Sequence, residues 1–352
     1  MQALITTPGQ PGAVRVDEVA APASPASTVR MRTLEVGVCG TDREIAEGTF
    51  GSAPPGDDHL ILGHEFVGEV VEDAAGFTAG ELVTATVRRA CGHCAACAAG
   101  SPDACDTGDY TERGITALHG FAGELVAEAP EHLVRVPASL GRLGVLAEPA
   151  SICVRGIRHA RVIGGRQVWT PTRALVIGAG AIGMLATYQL RLAGMATWTA
   201  ARGEAGSEKA RLVEASGAEY VSTASTPLED LAAALGGFDL VVEASGSADV
   251  MLSVLGLLRR NGVGCLLGLD AHSRPVSIDS TVLGVDTIIE NRALFGSVNA
   301  HTSDWRVAVE QLDAIRERWP EALDAMVGLR VAPDRFADAF AFRGVKATLR
   351  FA

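Results

Sequence analysis

The sequence predicts an α/β protein of two domains, a β-rich, barrel-like domain and a domain built on a doubly wound parallel sheet. Three observations carry this expectation. Up to about Pro149 the apolar runs are short and broken by Gly and Pro, the rhythm of a β-rich domain. From about Ala174 strand-like and helix-like stretches alternate, which is the pattern of a parallel sheet covered by helices. At that change of texture stands Gly178-Ala-Gly180-Ala181-Ile182-Gly183, with a short β run before it and a helical stretch after it. A length of 352 residues suits two domains of ~100–200 residues each.

Taken in order, the runs Val67–Val71, Leu82–Val87, Leu125–Val126 and Leu133–Val136 read as strands of the first domain. In the second, Leu175–Ile177 is a strand and Ala181–Leu192 a helix. Thr197–Ala201 then reads as a strand, Ser207–Ser216 as a helix and Val221 as part of a strand. Leu228–Leu235 is helical, Leu240–Val242 a strand, Val250–Leu258 a helix and Val263–Leu267 a strand. Ala271–Arg274 is a loop. Trp305, Val309, Leu312, Ile315 and Trp319 recur at three- and four-residue steps and mark the core-facing side of a late amphipathic helix.

Composition narrows the function. Hydrophobic residues make up 48% of the chain and charged residues 20%, enough apolar material for large cores and too little charge for disorder. With 42 acidic against 30 basic side chains the net charge is −12, which argues against nucleic acid and anionic membranes as partners. Only Lys209 and Lys346 are lysines. The most membrane-like stretch, Ala174–Leu190, is one residue short of the ~18 needed to span a bilayer and carries Tyr188 and Gln189. Met1-Gln-Ala-Leu-Ile-Thr-Thr-Pro8 shows no basic-then-apolar secretory pattern, so a cytoplasmic protein is expected.

The glycine motif has a physical logic. Gly178 permits a tight turn, Gly180 lets backbone approach a pyrophosphate, and Gly183 lets the helix pack close to the strand. The N–H groups of Ala181 and Ile182 then open a helix N-terminus toward the phosphates. About twenty residues on, where an acid would bind the ribose 2′-OH of NAD, the chain reads Ala201-Arg202-Gly203. An arginine there pairs with a 2′-phosphate, so NADP is preferred and NAD stays open.

Four of the seven cysteines, Cys91, Cys94, Cys97 and Cys105, fall within fifteen residues. Four thiolates so spaced close a tetrahedral zinc site with no open position, a structural role. A dispersed set, Cys39-Gly-Thr41-Asp42, Gly63-His64-Glu65 and Glu148-Pro149, offers the ligand types of a second zinc site with an exchangeable position, as catalysis requires.

In this order the motifs resemble the zinc-dependent medium-chain dehydrogenase/reductase (alcohol dehydrogenase) superfamily over essentially the whole chain. Cys39–Ile45, Gly108–Ile115, Leu146–Pro149 and Gly296–Asn299 are most similar to its archaeal-type glucose (aldose) dehydrogenase branch. The resemblance implies a GroES-like catalytic domain (residues 1–153 and 300–352, with the zinc lobe at about 88–108) around a Rossmann domain (154–299). It implies Cys39, His64, Glu65 and Glu148 at the catalytic zinc, and Thr41, Glu112, Glu148 and Asn299 against sugar hydroxyls. Thr41 would also pass the substrate proton toward solvent. The activity implied is transfer of hydride from an aldose C1 to NAD(P)+, giving a lactone, by a homodimer or homotetramer. Two positions depart from the pattern. Ile152 stands where some members carry an acid, and Ala201-Arg202-Gly203 stands where Asn-Arg-Arg can occur. The same residues also suit a dehydrogenase of another polyol, a cyclitol or an aminosugar. A non-catalytic NADPH sensor has no need of an intact zinc set.

Overall fold

The computed structural model describes residues 1–23, 25–270 and 274–352, so all of the Ala271–Arg274 loop except Arg274 lies outside the described residues. The chain divides into two units. The first comprises Met1–Ser151, Asn299–Asp313 and Val327–Ala352, and the second Ile152–Val298 and Ala314–Met326. The sequence places breaks after residues 153 and 299 and leaves 314–326 with the first domain. In the structure that segment joins the second unit, where Trp319 meets Tyr188 edge-on with ring centroids 5.2 Å apart.

The first unit is built on a seven-stranded sheet. Its path runs Leu133–Val136, Leu82–Ala85, Glu65–Val70, Val29–Val38, Lys346–Arg350, Val327–Val331, and Leu125–Glu128 also pairs with Val29–Val38. The long strand Val29–Val38 thus holds the N-terminal half to the C-terminal strand Lys346–Arg350, with Val38 opposite Ala347. A small sheet of Arg88–Arg89, Thr111–Arg113 and Ala117–Leu118 carries the cysteine-rich lobe.

The second unit holds six parallel strands in the order Glu219–Ser222, Ala196–Ala201, Arg173–Ile177, Phe238–Glu243, Leu258–Leu266, Ala293–Gly296. Read by chain position this is 3-2-1-4-5-6, the doubly wound order whose reversal point lies beside the first strand. The central strands read as apolar runs because both faces are covered: Ala174–Ile177 and Leu240–Val242 are apolar and buried throughout. Trp198 and Phe238 meet edge-on in that core, 5.7 Å between centroids.

Helices Ala181–Leu192 and Leu228–Leu235 match the sequence pattern residue for residue. The predicted helix through Leu258 ends at Leu257, because Leu258 is already extended (φ −79°, ψ 139°) and opens the next strand. That strand starts well before Val263 but bulges, with Asn261 at φ +66° and the register jumping between Leu258 and Val263. The late helix spans Thr302–Arg318, with Trp305, Val309, Leu312 and Ile315 buried, so its apolar stripe is core. No helix among the described residues is long and apolar enough to cross a membrane.

Candidate active site

Cys39 directly follows the strand Val29–Val38 and is the N-cap of the helix Gly40–Ala46. Its own N–H donates to Asp42 Oδ2 at 2.8 Å, so an acid three residues on fixes the cap. The other oxygen of Asp42 faces His64 Nδ1 at 3.6 Å, and His64 Nε2 lies 3.0 Å from Cys39 Sγ. Asp42 therefore holds the backbone of one donor by a hydrogen bond and faces the ring of the other at ion-pair distance. A carboxylate behind a histidine fixes which nitrogen is presented to a metal.

Glu65 follows immediately, at the start of the strand Glu65–Val70. Its carboxylate is buried under Gly37, where an added Cβ would come within 1.9 Å of Oε2. Lys346 meets it from the C-terminal strand, with Nζ 2.6 Å from both oxygens and each side chain 2% exposed. A buried carboxylate without such a partner would be strongly disfavoured.

One donor atom each from Cys39, His64 and Glu65 lies within 4.8 Å of the others. Sulfur, nitrogen and oxygen donors converge, and the buried Nδ1 of His64 and Oδ1 of Asp42 face each other without a direct hydrogen bond. The residues present fit a zinc ion. Burial pushes the Cys39 thiol up. His64 is held well above its usual range: burial pulls it down, but the Cys39 and Asp42 charges outweigh that. Glu148, half-buried near the start of helix Ala147–Gly164, lies outside the three-donor group, and its carboxyl is pushed up to about 7 by burial, opposed by His64. Thr41 sits half-buried in the first turn of the helix Gly40–Ala46.

The second cluster is self-contained. Cys91 and Cys97 sulfurs are 3.9 Å apart, as are those of Cys94 and Cys105, and all four lie within 4.8 Å. A tetrahedron of ~2.3 Å Zn–S bonds has edges of about 3.8 Å, so the donors fit a closed zinc site. Backbone N–H groups of Cys94 and Cys97 donate to the sulfurs three residues earlier, each at 3.4 Å. Backbone donation near His93 pulls Cys91 down to about 6, while burial pushes Cys97 up to about 12.

At the reversal point of the parallel sheet the glycines are placed as a dinucleotide requires. Gly178 has φ +108° and packs on Ala244, whose carbonyl oxygen would lie 2.8 Å from an added Cβ. A Cβ on Gly183 would strike Gly178 O at 1.9 Å, whereas one on Gly180 meets nothing within 4 Å. The open position is the one where pyrophosphate must approach, and the two closed ones hold strand to helix. Gly180 is the N-cap and makes no side-chain cap, so the N–H groups of Ala181 and Ile182 face outward from the helix start. Arg202 is exposed just after the strand Ala196–Ala201.

Glu112 lies on the strand Thr111–Arg113, opposite Arg88, with Arg88 Nε 3.0 Å from Oε1. Two residues on, Gly114 packs against Gly63, whose carbonyl oxygen would be 2.5 Å from an added Cβ. That contact sets the Glu112 segment beside the residue preceding His64. Asn299 is buried at φ +65°, and its Nδ2 donates to Asp103 O at 3.3 Å.

The roles of two residues at these sites escaped the sequence reading, and a third, Asp42, was read as part of the Cys39 motif without its capping role. Lys346 carried a signal only in being one of two lysines. Asp42 stood at the third helical position after Cys39, the spacing of a capping acid. Arg88 had none, since its pairing with Glu112 is a matter of strand register.

Comparison with known proteins places this geometry. Residues 25–138 match the alcohol dehydrogenase GroES-like domain, and residues 141–350 match the glucose dehydrogenase C-terminus. A glucose 1-dehydrogenase of Methanocella arvoryzae is 44% identical over 335 residues, covering 94% of this chain and 93% of its own. One of Thermoproteus tenax is 37% identical over 351 residues, covering 97% and 96%. Among solved structures, the Haloferax mediterranei glucose dehydrogenase in complex with NADP, Zn and gluconolactone superposes with a TM-score of 0.92. Its identity is 31%, with 100% of this chain and 99% of that one covered.

Proposed function

This chain belongs to the zinc-dependent glucose dehydrogenase family of medium-chain dehydrogenases, and from that premise we propose that it oxidises an aldose at C1 to the lactone with NADP+ as hydride acceptor. The observation that carries the reading is the convergence of Cys39, His64 and Glu65 donors within 4.8 Å in a chain that also carries the open Gly180 cradle. The Haloferax relative, solved with NADP, Zn and gluconolactone, supports the same substrate class and cofactors.

Cys39 and His64 would hold the catalytic zinc, with Glu65 and Glu148 as the carboxylates able to reach it, and Cys91, Cys94, Cys97 and Cys105 would hold the structural one. Bound zinc lowers the pKa of the substrate hydroxyl, and the nicotinamide takes the hydride. The chain supplies the rest. Asp42 keeps His64 oriented, and Lys346 keeps the charge of Glu65 compensated. Thr41 hands the hydroxyl proton on toward solvent. Glu112 and Asn299 accept and donate to sugar hydroxyls, and a substrate lacking the matching hydroxyl leaves them unpaired. Gly178, Gly180 and Gly183, with the N–H groups of Ala181 and Ile182, seat the pyrophosphate, and Arg202 pairs with the 2′-phosphate.

The test is reduction of NADP+ and NAD+ by the zinc-loaded protein over a panel of aldoses, polyols, cyclitols and aminosugars. Turnover of glucose or galactose to lactone is expected. Silence on every aldose would overturn the reading and favour the cyclitol or aminosugar alternative, which Ile152 keeps open. Arg202→Asp is expected to shift the NADP/NAD preference toward NAD by ~10–100-fold, the worth of a hydrogen bond to a charged group. An unchanged ratio would remove Arg202 from the cofactor site.

We further propose a cytoplasmic homodimer or homotetramer. The seven cysteines, none of them in a disulfide, suit a reducing compartment. The strand Ala293–Gly296 lies at the edge of its sheet, and Leu283, Val285, Ile288 and Ile289 just before it are exposed. Light scattering on the purified protein would read the assembly directly.

A further inference from the structure

The four-cysteine lobe and the residues assigned to the sugar share one arginine. Arg88 leaves the lobe's sheet directly opposite Glu112. Its Nε and Nη2 both lie 3.0 Å from Glu112 Oε1, and Nη1 donates to Asp103 O at 3.0 Å. The guanidinium lies over the Tyr110 ring, 3.9 Å from its centre, so its plane is fixed as well as its charge. Both side chains of the pair are largely buried, 10% and 15% exposed. The Asp103 carbonyl, in the turn Pro102–Ala104 that leads into Cys105, also accepts from Asn299 Nδ2 at 3.3 Å. Glu112 and Asn299 are thus tied to one peptide group of the lobe, although 187 residues separate them in sequence.

The geometry of the pair is lopsided in an informative way. Both nitrogens that Arg88 turns toward Glu112 meet the same oxygen, Oε1, with Nε donating the hydrogen bond. A purely structural arginine–carboxylate pair gains most from the bidentate fork, one donor per oxygen. Here Oε2 is left for something else, on a segment that packs against Gly63 beside His64.

We propose that Arg88 is the positioning residue of the sugar site. It aims the free oxygen of Glu112 at a substrate hydroxyl and, through the Asp103 carbonyl, holds Glu112 and Asn299 at a fixed spacing. The zinc lobe is then the frame on which hydroxyl recognition is built. This rests on the reading of Glu112 and Asn299 as sugar contacts.

The test compares Arg88→Met, Arg88→Lys, Glu112→Gln and the double variant R88M/E112Q, each checked for zinc content and melting temperature. For Arg88→Met the KM for glucose is expected to rise ~10-fold or more, with kcat and the KM for NADP+ within about threefold of the parent. Discrimination against at least one monodeoxyglucose should shrink by a similar factor. Arg88→Lys should fall between, and the double variant should be no worse than Glu112→Gln. A folded, zinc-replete Arg88→Met with the parent's glucose KM would overturn the proposal. So would an undiminished effect of Arg88→Met in the E112Q background. If Glu112→Gln itself leaves the glucose KM unchanged, the sugar reading fails and the proposal with it. Should Arg88→Met not accumulate, Arg88→Lys carries the same comparison.

Discussion

In the lobe, four sulfur donors come from fifteen consecutive residues and are aimed by their own backbone N–H groups. The donors Cys39, His64 and Glu65 come from two separate segments and are aimed by Asp42 and by Lys346, 281 residues from Glu65. The first arrangement is complete in itself, with four sulfurs at the spacing of a tetrahedron. The second has its shape only when the whole first unit is folded, and it keeps donors, such as the half-buried Glu148, that are near without being committed. A local chelate suits a site that must only stay closed. A site assembled by the fold can leave a place for substrate, because its geometry is held from behind rather than by the metal.

That contrast is sharpest in catalysis. Cys39→Ser or His64→Ala is expected to lower turnover by ~10³-fold or more, an interaction of about 4 kcal/mol in the transition state, while NADPH binding by fluorescence stays near the parent's. Turnover retained in a metal-stripped, folded protein would break the distinction outright. Next comes Lys346→Met, which strands a buried carboxylate and should cost about 3–5 kcal/mol in denaturant unfolding. Adding Glu65→Gln should return most of that loss, and failure to do so would mean that Lys346 matters through packing alone.

Cys94→Ala should act on the other side of the comparison. It is expected to release about one zinc per chain and lower the melting temperature, with kcat on the remaining folded protein close to the parent's. Equal melting temperatures would contradict a structural role. The smallest effect concerns a buried carboxylate with no lysine behind it. Glu243, at the end of the strand Phe238–Glu243, takes the Ser245 N–H at 2.6 Å and the Ser245 hydroxyl on Oε1, and Oε2 has no hydrogen-bond partner. Burial holds its pKa above the ordinary value. A raised carboxyl pKa means that the folded state binds the proton more tightly than the unfolded chain. The stability this confers is full below the unfolded pKa of ~4.3 and is lost as pH rises through the folded value. Glu243→Gln should therefore flatten the fall in stability between pH 4 and 8, read from melting curves at each pH.

Periodicity made the parallel-sheet unit legible. Ala181–Leu192 and Leu228–Leu235 could be bounded from sequence because glycine and proline punctuate them, and the glycine motif located the turn between the first strand and its helix. The break at Leu258 was not legible, since a leucine ends the helix with no capping signal. Cysteine spacing exposed the lobe, where ligands are neighbours along the chain. The supports of the other centre were hidden for the opposite reason. Nothing local in Lys346 or Arg88 announces a partner, because those pairings are created by which strands lie side by side. The segment Ala314–Met326 groups with the second unit for a related reason, as tertiary contact and not chain order decides the grouping.

The scarcity of lysine has a consequence for how this protein ages among sugars. Open-chain aldoses condense with unprotonated amines, and each adduct replaces a flexible cation with a bulky polar group. Here Lys346 is sealed against Glu65 at 3% exposure. Lys209, half-buried and with its ammonium pulled below the usual lysine range by burial, is then the lysine such a molecule would meet, so intact mass after long incubation in concentrated glucose should show about one adduct at most on lysine.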